Sequence, residues 1–194
     1  MELVLVHITD IHLENDTDYK VLEGRSEYIA NAINKHIIEE TDTVLVLGIT
    51  GDIAYSGKEE QYLFASIFIA DIIDGIKKRH KELFIQIVMV PGNHDCDFDR
   101  EDSVVRESIL RDFNLDMSNV SIIKNCTNAE ENYFNFVQEW DQKIAPLVSA
   151  SSESIFSING LGYKGVSLKF HCLNTAWCSK ENEKPQEIKI AIPE

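Results

Sequence analysis

Basic residues are scarce in this sequence: 18 lysines and arginines stand against 33 aspartates and glutamates, a formal charge of −15. That balance argues against a generally basic nucleic-acid surface, because phosphate binding leaves a Lys/Arg footprint. A locally bound metal would still reverse the sign where it sits. The four cysteines, Cys96, Cys126, Cys172 and Cys178, include no Cys-x-x-Cys pair, and the chain opens with no basic segment followed by a longer apolar core and cleavage site. Reduced thiols in a cytoplasmic protein are the expectation. No apolar run approaches the roughly 20 residues that span a bilayer. The nearest, residues 62–76, is interrupted by Asp71 and Asp74 and reads as a buried helix. Internal repeats are absent, and the serine-rich stretch 149–154 is too short for a long linker.

What is present suffices for one substantial core. With 194 residues, 44% of them hydrophobic, a single domain over 1–194 is expected. The chain is organised around Val90-Pro91-Gly92-Asn93-His94-Asp95, where an apolar run, 83–90, stops abruptly. Pro91 cannot donate to a sheet ladder and Gly92 permits a sharp turn, so a strand should end there. Twice earlier the same event occurs: the run 3–8 gives way to Asp10-Ile11-His12, and the run 44–49 to Gly51-Asp52.

Between these strands, apolar residues Ile29, Ala32, Ile33 and Ile37 recur at helical spacing over 26–40, after a polar loop at 9–20, and a second helix is expected over 58–79. Strand 1–8 reads as buried on both faces. The series is β-α-β-α-β, an α/β arrangement whose crossovers are right-handed and whose ligands bind beyond the carboxyl ends of the strands. All three polar clusters sit at such ends. Further on, 100–113 and 130–148 read as helices, the second with Tyr133, Phe134, Val137, Trp140, Ile144 and Leu147 as core. Residues 149–154 read as a loop, and 155–158 and 166–173 as a hairpin or neighbouring strands, with a turn at Asn159-Gly160 continuing to Gly165. The tail, 179–194, is charged.

The loop chemistry suits a metal. Asp10 and His12 flank Ile11, so an extended segment would point both to one side. Asp52, after Gly51, can approach closely enough to bridge two ions; Asn93 offers a neutral oxygen, and His94 an imidazole able to act as acid, base or ligand. Mixed oxygen and nitrogen donors suit Mn²⁺, Fe or Zn²⁺ better than Ca²⁺.

Asp10-Ile11-His12, Gly51-Asp52 and Gly92-Asn93-His94-Asp95 together resemble the signature of the calcineurin-like metallophosphoesterase superfamily, firmly over residues 1 to about 100. The pattern is most similar to the phosphodiesterase and nuclease branch. The resemblance implies an α/β fold with a β-sandwich flanked by helices, in four α/β/β/α layers, incomplete at the C-terminal side. It also implies two divalent ions, Mn²⁺ first with Fe or Zn²⁺ as alternatives, and hydrolysis of a phosphate ester, above all a phosphodiester. Nucleotides and nucleic acid are among the candidate substrates. Asp10 and His12 would bind the first metal, Asp52 would bridge both, and Asn93 would bind the second. His94 would assist the leaving group and Asp95 would orient His94, the two forming the catalytic pair.

Members of the superfamily supply further histidines, including a Gly-His-x-His motif that this sequence lacks. The expectation is therefore an N-terminal portion of a longer protein, with the second metal site incomplete and a C-terminal remainder as its partner. The rival is a non-catalytic regulatory module of the same fold. A homodimer through exposed apolar surface is a further expectation. His7 is expected to be packed and hydrogen-bonded, His36 and His80 at the surface, His171 structural and Cys96 unreactive. The acid-rich segments 95–102 and 181–187 read as solvated faces, and Arg25, Arg100 and Arg106 as candidates for touching phosphate.

Overall fold

The computed structural model describes residues 2–38, 42–111, 120–143, 149–153, 155–163 and 165–184. Strands β1 (Glu2–Ile8), β2 (Thr43–Thr50) and β3 (Phe84–Val90) form a parallel sheet in that order, joined by helices α1 (Asp16–Asn34) and α2 (Glu59–Lys77). Register is set by Leu3 opposite Val44 and Val44 opposite Phe84. Alternation then divides the sheet into two faces. Val4, Val6 and Ile8 lie on the face of Leu45, Leu47 and Ile49, and this face packs against α1 and α2 through Ala30, Ile33, Phe68, Ile69 and Ile72.

The opposite face meets a second sheet. Helices α3 (Ser103–Arg111), α4 (Val120–Cys126) and α5 (Glu131–Lys143) precede the antiparallel strands β4 (Ser149–Glu153), β5 (Phe156–Tyr163) and β6 (Val166–Leu173). Val44, Val46, Phe84 and Val88 of the first sheet pack on Leu161, Leu168 and Phe170 of the second. The result is an α/β sandwich. The second sheet covers β2 and β3 but leaves β1 partly open, with Leu3 43% and Leu5 63% exposed. The expectation that this strand is buried on both faces is corrected by that geometry: apolar composition marks a strand without showing which of its faces is covered. His7, on the same open face, is exposed and hydrogen-bonded to Thr50 Oγ1.

Three further expectations change for local reasons. Residues 9–20, read as loop, contain the start of α1. Asn15 caps it by accepting from Thr17 N at 2.8 Å, and the Asp18 carboxylate reaches back to Asn15 N. The Asp and Asn residues that look like loop are its cap and acidic first turn. Asn159-Gly160 lies within β5, opposite Phe170 and Lys169, while the turn falls at Gly165 with φ +85°. The serine-rich 149–153 is a strand, because pairing with β5 satisfies its backbone regardless of its polar side chains. In α5, Tyr133, Phe136 and Trp140 are buried against α2; Ile144 and Leu147 lie outside the described residues. Among the described residues no helix is long and apolar enough to cross a membrane.

Candidate metal centre

The chain segments that follow β1 and β2 continue side by side beyond the sheet. His12 N donates to the Asp52 carbonyl at 2.9 Å, Leu13 N to that of Ile53 at 3.0 Å, and Tyr55 N to that of Leu13 at 3.1 Å. Leu13, Ile53 and Ala54 are fully buried and anchor this extension in the core. Two loops that composition shows only as polar are thereby held in fixed register.

Within that register Asp10, His12 and Asp52 converge. Ligand atoms of the three all lie within 4.8 Å of one another, with His12 Nε2 at 3.8 Å from Asp10 Oδ1 and 3.9 Å from Asp52 Oδ2. Strand alternation does not produce this convergence. Asp10, His12 and Asp52 have φ of 56°, 51° and 53°, and among the described residues only Asn182 joins them as a non-glycine with positive φ. Such angles are costly for a residue with Cβ and persist where the surrounding structure enforces them. Two carboxylates and an imidazole aimed at one point fit a divalent cation by donor type, and a cation would relieve the repulsion between the acids.

The third loop closes over this group. His94, in the short 3₁₀ turn Asn93–Asp95, donates its backbone N–H to Asp52 Oδ1 at 3.0 Å, and its ring stands edge-on to His12 with centroids 4.5 Å apart. His94 Nδ1 donates to the Tyr55 carbonyl at 2.6 Å. Asn93 is exposed beside it. The hydrogen bonds of Asp95 run elsewhere than to the His94 ring. Fully buried, it accepts from Ile53 N, Ala54 N and Gly92 N at 2.9–3.1 Å and from the Tyr62 hydroxyl at 3.1 Å. Burial pushes its carboxyl up to about 6 against the pull of those donors. Asp95 therefore ties the β2 and β3 loops together, and the Tyr55 carbonyl positions His94.

Gly92 is required by this closure. A Cβ there would lie 2.2 Å from Asp52 Oδ1 and 2.5 Å from Asp52 N, far inside contact distance. Gly92→Ala is expected to displace the Asp52 carboxylate and weaken Mn²⁺ binding about 10- to 100-fold, as read by titration calorimetry. Unchanged affinity would show that the loops can part without cost.

Around the centre, Arg106 departs from expectation: it is buried, paired with Glu101, and donates to the carbonyls of Ser179, Cys126 and Trp177. A guanidinium committed to so many acceptors is a structural clamp. Arg100 pairs with Glu131, and Arg25 lies exposed on α1. In the acid-rich segment Asp95 and Asp97 are buried rather than solvated, each held by donors. Residues 185–187 of the other acid-rich segment lie outside the described residues. Cys96 is buried, with its thiol pushed well up by burial, so a reactive thiolate is disfavoured. His36 is exposed, His80 half-buried, and His171 exposed on β6 with its ring 6.0 Å from that of Phe156. Sequence reading missed Thr9, whose hydroxyl lies 2.7 Å from Asp10 Oδ2, as well as Tyr55 and Tyr62. Their only signal was proximity to the motifs or, for Tyr62, a helical position facing them.

A family model described as calcineurin-like phosphoesterase matches residues 3–192. No curated protein matches the chain.

Proposed function

The chain belongs to the calcineurin-like phosphoesterase family, and from that premise we propose that it hydrolyses a phosphodiester at a centre built on Asp10, His12 and Asp52. The family implies metal-dependent hydrolysis of phosphate esters. The observation that carries the reading to these residues is the convergence of their ligand atoms from three left-handed backbone positions.

Asp10, His12 and Asp52 would hold the first ion, with Asp52 and Asn93 extending toward a second; Mn²⁺ is the preferred metal. Such ions supply Lewis acidity, which lowers the pKa of water toward neutrality and balances charge on the phosphoryl group. Asp52 is oriented for its part by the His94 N–H on Oδ1, which leaves Oδ2 toward His12. Because Nδ1 of His94 is committed to the Tyr55 carbonyl, Nε2 is the atom that passes a proton to the departing alkoxide. Water would give up a proton to solvent and bond through its oxygen to phosphorus as the ester bond breaks, and the alcohol would leave with the proton from His94 Nε2. A second reading, a regulatory module of the same fold, is favoured by the lack of a Gly-His-x-His motif in the sequence.

Hydrolysis of bis-p-nitrophenyl phosphate and p-nitrophenyl phosphate, followed with stripped protein at graded Mn²⁺, separates these readings. Turnover that appears with Mn²⁺, disappears with chelator and favours the diester is expected. Preference for the monoester would remove the diester assignment, and no turnover with Mn²⁺, Fe²⁺ or Zn²⁺ would favour the module.

A further inference from the structure

Beside the centre lies a cleft of about 340 Å³ that shares Asn93 and His94 with it. An ester whose phosphorus sits among Asp10, His12 and Asp52 has two alcohols to place, and the cleft adjoins that position on the side of Asn93 and His94. Its walls combine two features. Tyr55, 47% exposed, and the half-buried Phe98 supply aromatic surface. The Arg106 guanidinium lies 5.2 Å from the Phe98 centroid and occupies one face of that ring, so Tyr55 is the main aromatic surface open to a ligand.

The second feature is charge. Lys58 and Lys180 line the cleft together with Asp97, Asp99, Glu181 and Glu183, two ammonium groups against four carboxylates. Lys58 is not available to a ligand phosphate, because its ammonium donates to both Asp97 and Asp99, the latter at 2.6 Å. Those carboxylates also hold the Lys58 pKa above its ordinary value, so it stays charged and paired. A carboxylate or phosphate entering the cleft therefore meets a surplus of like charge. A cation meets an aromatic face and net negative charge together, the combination that recognises ammonium groups.

Resting on the phosphodiesterase reading, we propose that this cleft holds one alcohol of the substrate and that the alcohol carries a positive charge, as an amino-alcohol or quaternary ammonium alcohol does. Nucleic acid and polyphosphates are disfavoured by the same walls.

The test compares methyl phosphodiesters whose other alcohol is choline, its uncharged isostere 3,3-dimethylbutanol, or glycolate, by kcat/KM for release of that alcohol, followed by chromatography with Mn²⁺ present. The choline ester is expected to exceed the isostere about fivefold and the glycolate ester by more, and Glu181→Lys is expected to shrink the choline advantage. Equal rates for choline and isostere, or preference for glycolate, overturns the proposal while leaving phosphodiester hydrolysis intact. If no ester turns over, the reading of the centre fails, and the cleft is judged by binding. Ligand-observed NMR of choline against 3,3-dimethylbutanol, on protein without added metal, should then show choline preferred and the preference reduced in Glu181→Lys. No preference there overturns the proposal too.

Discussion

Asp52→Asn is expected to lower kcat/KM for bis-p-nitrophenyl phosphate by on the order of 10²–10³-fold without unfolding the protein. Asp52 lies just beyond the fully paired central strand β2, and its carboxylate touches the other two loops: Oδ1 accepts from His94 N and Oδ2 faces His12. Asparagine keeps the shape and the Oδ1 acceptor, so the 3₁₀ turn retains its anchor. What it removes is the negative charge. Asp10, 62% exposed in its side chain, remains the only carboxylate of the cluster. A single carboxylate with one imidazole holds a divalent ion weakly, and the loss should appear both in turnover and as a higher Mn²⁺ concentration for half-maximal rate. Thermal melts of the two proteins without metal should agree within about 1 kcal/mol. Turnover by Asp52→Asn equal to the parent's would place the chemistry elsewhere. A variant that fails to fold would be replaced by His12→Gln, which alters a more exposed ligand on the other loop.

The β-α-β-α-β half was legible because its strands are unbroken apolar runs that end in turn residues, and burial of β2 between two layers leaves little room for any other reading. Asp10, His12 and Asp52 were legible for the same reason: a polar cluster at a parallel strand end has few structural uses. What sequence could not show is how these side chains meet. Their left-handed φ values depend on the Leu13–Ala54 pairing, a contact between residues 41 positions apart. Asp95 shows the same limit. Beside His94 in sequence, it points away from the ring because its burial demands donors, and Ile53, Ala54 and Tyr62 supply them from other elements. Polar composition misled at 9–20 and 149–153, where capping and sheet pairing outweighed the loop-like residues.

Glu130→Gln is expected to stabilise the protein at alkaline pH and to flatten its stability profile between about pH 4.5 and 8. Glu130 is fully buried, and burial pushes its carboxyl up from 4.5 to about 8. Asn174 Nδ2 donates to Oε2 at 2.8 Å, whereas Oε1 has no hydrogen-bond partner among the described residues. Arg106 favours the charged form but is already paired with Glu101, and Asp95 and Glu101 oppose it. Because the folded value lies above the unfolded one, the native state holds a proton that the unfolded chain has released between pH 4.5 and 8. The associated stability is complete below pH 4.5 and is lost as pH rises through 8. The ceiling on that loss is about 5 kcal/mol. Glutamine is neutral at every pH and can still accept from Asn174, whose own carbonyl holds the 3₁₀ turn at Ala176 N and Trp177 N. Asp95, pushed up to about 6, contributes loss of the same sign over a lower range, so the difference between the two proteins isolates Glu130. Urea unfolding at pH 5, 7 and 9 without metal measures it. Near-equal stability at pH 5 and an advantage of a few kcal/mol for Glu130→Gln at pH 9 are expected. Parallel curves would mean that Glu130 is ionised in the native state throughout, with its charge met by a donor that burial has not removed.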